Sequence, residues 1–90
     1  MDERIHAIFT GTVQGVGFRY TAERMARAAG VRGWVRNLPN GSVEILAEAP
    51  KEVLAQFIEQ LKARFLGYIR SVEVAGEPAS GEFKGFDITY

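Results

Sequence analysis

The chain has 90 residues, enough for one domain, with 47% apolar and 24% charged residues and a formal net charge of zero. Zero net charge argues against a general nucleic-acid binder, which normally carries a basic excess to displace counterions, but it is compatible with a small anion held by a few placed groups. No cysteine is present, so disulfides, thiolate nucleophiles and cysteine metal sites are excluded, and a domain this small without disulfides is expected in the cytoplasm.

The start, Met1-Asp2-Glu3-Arg4, is acidic and lacks a long apolar stretch, so no signal peptide is expected, and no apolar run approaches a membrane span. Ile5 to Val13 reads as a strand: Ile5, Ala7, Phe9, Gly11 and Val13 alternate onto one face, His6, Thr10 and Thr12 onto the other. A glycine-rich turn follows, Gln14-Gly15-Val16-Gly17. From Phe18 the period becomes helical, with Phe18, Ala22, Met25, Ala26 and Ala29 on one side and Glu23, Arg24 and Arg27 toward water. Glu23 and Arg27 are spaced for a surface pair, and Gly30 is placed for a left-handed cap.

Val31 to Asn37 reads as a second strand and Ser42 to Glu48 as a third, joined by the turn Leu38-Pro39-Asn40-Gly41. Pro50 suits the first turn of a second helix, whose stripe is Val53, Leu54, Phe57, Ile58, Leu61 and Phe65 and whose end is Gly67. Ile69 to Ala75 reads as a fourth strand with Val72 and Val74 inward, Gly76 to Gly85 as a loop, and Phe86, Ile88 and Tyr90 as a short last strand. The order predicts an α+β fold: a ferredoxin-like βαββαβ sandwich, an antiparallel sheet with two helices on one face and a short extra C-terminal strand. Residues 1–90 are expected to form one domain, with no linker or repeat.

The segment from Gly11 to Arg19 joins a strand to a helix start. The first turn of a helix leaves N–H groups without partners, and glycines let the preceding loop curl so that more of them converge. Such a concavity suits a phosphate or carboxylate, and Arg19 can add a bidentate guanidinium. The glycine spacing is neither that of a Walker A loop nor that of a dinucleotide fingerprint. On glycine placement alone, a turn whose glycines only relieve strain, with Arg19 a solvated helix residue, is an equal alternative.

A second informative stretch is Gly33-Trp34-Val35-Arg36-Asn37-Leu38-Pro39-Asn40-Gly41-Ser42-Val43-Glu44. Together with Val13-Gln14-Gly15-Val16-Gly17-Phe18-Arg19 it closely resembles the two signatures of the acylphosphatase family, the VQGVGFR loop and the GWVxNxxxGxVE hairpin. The similarity extends over nearly the whole chain, since the family's element order and length also fit. Two departures stand out. Asn40 replaces a common Asp before the hairpin glycine, a neutral change in a turn. Phe65-Leu66-Gly67-Tyr68-Ile69 lacks a common Gly-Pro pair, which bears on the loop before the fourth strand and on the substrate entrance.

The resemblance implies metal-free hydrolysis of acyl phosphates to a carboxylate and inorganic phosphate, without a cofactor. It implies that Arg19 holds the phosphoryl group and that Asn37 positions the attacking water. The phosphate-binding segment is then Gln14, Gly15, Val16, Gly17, Phe18 and Arg19, with N–H groups from about Gly15 onward on the equatorial oxygens. These types fit the chemistry. Phosphoryl transfer needs positioning and charge stabilisation, and an amide can orient water though it cannot act as a base. No base is evident, so a substrate phosphate oxygen is expected to take the water's proton, and the carboxylate to leave without a general acid.

Read without the resemblance, Asn37 more simply begins a turn, Trp34 packs, and His6 is an ordinary strand residue with no partner for a metal site. Glu44 and Glu48 are expected solvated on the outer face of their strand. Two other functions compete: an anion-binding regulatory module on the same fold, and an RNA-binding module, which would need exposed aromatics on a basic sheet face. An excised domain of a larger carbamoyl-transfer protein is a further alternative. The expected partners are a small acyl phosphate and inorganic phosphate, with no nucleic acid and no membrane, acting on a monomer.

Overall fold

The computed structural model describes all residues, 1–90. Strand β1 (Asp2–Gly11) leads through the glycine-rich loop to helix α1 (Phe18–Ala29). Strands β2 (Arg32–Asn37) and β3 (Val43–Pro50) form a hairpin. Helix α2 (Lys51–Arg64), strand β4 (Ile69–Pro78) and strand β5 (Phe86–Ile88) complete the chain. The sheet order is β4-β1-β3-β2-β5. The first four strands pair antiparallel in the expected ferredoxin-like way, and the added β5 joins the free edge of β2 in parallel. No helix is long and apolar enough to cross a membrane.

The period-2 and period-3.6 patterns meet in one core. Ala7, Phe9, Val35, Val43, Ile45, Ala47 and Phe86 point from the sheet toward Phe18, Ala22 and Ala26 of α1 and Leu54, Phe57, Ile58 and Leu61 of α2. Phe18 at the start of α1 has its ring centroid 4.9 Å from that of Phe9 and 4.8 Å from that of Phe65. Each such buried ring contributes about 1.5–3 kcal/mol, and this trio fixes where α1 begins. Gly30 ends α1 in a left-handed cap, as its position predicts.

Several expected boundaries move. β1 starts at Asp2 and β4 continues to Pro78 because the two strands pair along their full length, Glu3 opposite Pro78. The segment read as a loop from Gly76 is therefore strand up to Pro78. Val74 does face the helix side but stays 49% exposed, because β4 is the sheet edge and α2 leaves it uncovered. α2 ends at Arg64 rather than at Gly67. Phe65 caps it, its N–H donating to the Leu61 carbonyl, and its own carbonyl accepts from Tyr68 and Ile69.

Glu48, expected in solvent, is fully buried. The chain after β4 folds back over the open face of the sheet. There the N–H groups of Ser80 and Gly81 donate to the Glu48 carboxylate at 2.9 and 3.0 Å, and Arg4 Nε donates at 2.7 Å. Burial by itself pushes this carboxyl up, but these donors and the Ser80 hydroxyl outweigh it and hold it at about 2.

Candidate active site

The phosphate-loop candidates lie where β1 hands over to α1. Gly15 and Gly17 both adopt left-handed backbone, φ 79° and 82°, and Gly17 is the N-cap of α1. A Cβ at either position would meet no atom within 4 Å, so the backbone angle and not space requires glycine here. The curl leaves the main-chain N–H groups from Gln14 to Tyr20 without protein acceptors. The first one engaged is that of Thr21, on the Gly17 carbonyl at 3.0 Å. Free N–H groups are thus gathered at the positive end of α1.

Beside them is a hollow of about 270 Å³ with Gly15, Gly17, Arg19, Asn37, Tyr20 and Tyr90 around it and buried Val13 and Phe18 at its base. Arg19 enters no ion pair and no side-chain hydrogen bond; its guanidinium carbon lies 5.0 Å from the centre of the Tyr90 ring. Asn37 stands at the end of β2 on the helix-covered face, in step with buried Gly33 and Val35. Its Oδ1 is buried without a hydrogen-bond partner, the one such side-chain atom in the chain. Buried acceptors are nearly always satisfied, so this orphan, on a residue that lines the hollow, stands out as an acceptor in want of a donor.

Among the sequence-derived candidates, Gly15, Gly17, Phe18, Arg19 and Asn37 line this hollow together. Gln14 and Val16 do not: Val16 packs against the core, and the Gln14 side chain points to the hairpin. There Gln14 Nε2 donates to the carbonyls of Leu38 and Ser42, at 2.7 and 2.9 Å. The glutamine thus ties the phosphate loop to the turn that carries Asn37. Asn40 stiffens that turn from within, its Oδ1 accepting from the Ser42 N–H at 3.0 Å. Tyr20 and Tyr90 escaped the sequence reading. Tyr20 directly follows Arg19, a position that alone gives no sign of facing the same hollow.

His6 is on the opposite face of the sheet. It is not partnerless, since its Nε2 lies 2.6 Å from Glu44 Oε2, and Arg36 Nε donates to the other Glu44 oxygen at 2.5 Å. Glu44 is accordingly only 13% exposed, which corrects the expectation that it is solvated. Burial alone would raise its carboxyl, and the His6 and Arg36 bonds bring it below its ordinary value.

The family model for acylphosphatase matches residues 5–88. The chain belongs to the acylphosphatase family. An acylphosphatase of Thermus thermophilus is 42% identical over 86 residues, which is 94% of this chain and 97% of the relative. An acylphosphatase of Acaryochloris marina is 40% identical over 93% of this chain and 90% of its own. The crystal structure of acylphosphatase from Bacillus subtilis superposes with a TM-score of 0.89 at 34% identity, covering 100% of both chains. T. kodakarensis HypF matches all of this chain with 12% of its own, at a TM-score of 0.78 and 30% identity. The acylphosphatase fold therefore also occurs inside longer proteins. Family and fold agree with the resemblance carried by the two signatures. The activity that acylphosphatase membership brings is hydrolysis of acyl phosphates, a small-molecule substrate class.

Proposed function

We propose that the hydrolysis needs no metal and takes place in the hollow between the phosphate loop and Asn37. The phosphoryl group sits on the N–H groups from Gly15 to Arg19, and the Arg19 guanidinium neutralises the charge spread over its oxygens. Asn37 Oδ1 accepts a hydrogen bond from water and aims its oxygen at phosphorus. The new P–O bond forms as the bond from phosphorus to the acyl oxygen breaks. The carboxylate leaves with the electron pair, and the water's proton passes to a phosphate oxygen. No side-chain base is needed, and His6 takes no part from the far face of the sheet.

The observation that carries this reading is the orphaned Oδ1 of Asn37 in the same hollow as the unpaired Arg19. We propose that the protein acts as a monomer, and the lack of cysteine is in keeping with a cytoplasmic setting. The test is turnover of benzoyl phosphate in excess chelator by the wild type, Arg19→Ala and Asn37→Ala. The expected result is metal-independent turnover that falls about 100-fold or more in each variant. Asn37→Ala should still bind inorganic phosphate, and Arg19→Ala should not. An inert wild type that binds phosphate through Arg19 would make the protein an anion-binding module instead.

A further inference from the structure

A second hollow, of about 350 Å³, adjoins the first across Tyr20, which lines both. It lies between α1 and the end of α2, with Thr21, Arg24, Met25, Ala28 and Arg64 as its other walls. No carboxylate lines it. Its two arginines have no carboxylate partner. Arg4, Arg27, Arg32 and Arg36 all pair with carboxylates. Arg24 lies over the Tyr20 ring, 5.5 Å from its centre, and Arg64 over the Phe65 ring at 5.1 Å, as Arg4 and Arg36 also lie over Phe83 and Trp34. Neither Arg24 nor Arg64 enters an ion pair or a hydrogen bond. Arg19 is held the same way, over Tyr90.

An arginine stacked on an aromatic face is steadied while its in-plane N–H groups remain free to donate. Arg19, Arg24 and Arg64 are thus steadied, unneutralised cations around two hollows that share Tyr20, on a chain of zero net charge. A plain acyl phosphate engages only the first of them. We infer that the hollow bounded by Tyr20, Arg24 and Arg64 is a second anion subsite, which selects acyl phosphates whose acyl group carries its own carboxylate or phosphate. This rests on the reading that the phosphoryl group occupies the Gly15–Arg19 loop. The acyl chain then crosses the Tyr20 ring, and its far anion meets the forks of Arg24 and Arg64. Both are distant from the reacting bond, so they hold substrate and transition state alike and act on KM rather than kcat.

The test compares benzoyl phosphate with 4-carboxybenzoyl phosphate, which differ by one carboxylate at the far end of the ring. The wild type is expected to favour the carboxylated substrate in kcat/KM by about fivefold at low salt, through KM, with the preference fading as salt rises. The double variant Arg24→Gln, Arg64→Gln should lose that preference while turning over benzoyl phosphate like the wild type. Equal kcat/KM for the two substrates in the wild type, or a preference that survives in the double variant, would overturn the subsite. Calorimetry with benzoylphosphonate and 4-carboxybenzoylphosphonate reads the same preference without turnover. If the wild type hydrolyses neither phosphate, the proposed reaction falls. The subsite then stands or falls on whether the carboxylated phosphonate binds more tightly in an Arg24- and Arg64-dependent way.

Discussion

Gln14 Nε2 donates to the main-chain carbonyl of Leu38 at 2.7 Å, and this bond couples the phosphate loop to the residue that follows Asn37. A second bond from the same nitrogen, to Ser42, holds the other side of the turn. Beyond the β1–β3 pairing, this one side chain ties the loop directly to the hairpin turn. Gln14→Met keeps the length and removes both donors. Steady-state kinetics should give a kcat lowered about 10-fold or more with KM for benzoyl phosphate little changed, because a misplaced water-holding amide costs rate rather than binding. A loss confined to KM would place Gln14 on the phosphate itself.

Histidine should be silent in the reaction. His6 lies on the far face of the sheet, bonded to Glu44. His6→Gln should retain wild-type kcat, and the wild-type rate should show no step near pH 6.5, the ordinary histidine range. A step in the wild type that disappears in the variant would bring His6 into the mechanism.

Acid should loosen the strap over the open face. Glu48 titrates at about 2 when folded and near its ordinary value of 4.5 when unfolded. A depressed folded value means that the stabilisation is present above the unfolded value and is lost as pH falls from about 4.5 through about 2. Denaturant unfolding should accordingly weaken over that window. Glu48→Gln should be less stable at neutral pH, with a lower denaturant midpoint, since it removes the charge that Arg4, Ser80 and Gly81 are arranged to hold. It should also weaken less with acid. Parallel pH profiles for the two proteins would show that Glu48 does not govern this range.

Gly17 tests the loop geometry. Gly17→Ala meets no steric obstacle, yet it forces a Cβ residue into φ 82°. The expected cost is about 1 kcal/mol of stability, with a larger relative loss of phosphate affinity as the N–H groups turn out of line. Gly17→Asn, which tolerates left-handed backbone better, should recover part of both. Equal affinities in all three proteins, measured by phosphate titration, would mean that the curl does not form the cradle.

Whatever depends on neighbours along the chain is legible in its residues. Apolar spacing placed every strand and helix, the Gly15 and Gly17 positions foretold a curled loop before α1, and the two signatures singled out Arg19 and Asn37. Tertiary structure alone decided what covers each face and which distant groups meet. Alternation put Glu44 and Glu48 on the outer face correctly, but a period of two cannot say what lies on top. Ser80 and Gly81 bury Glu48 from more than 30 residues away. The length of β4 was set by its pairing with β1, not by its own composition. Gln14 reads from the sequence as part of the phosphate-binding segment, and only the fold shows that its side chain goes to the hairpin instead. Arg24 and Arg64, 40 residues apart, become neighbours because α1 and α2 lie side by side on one sheet.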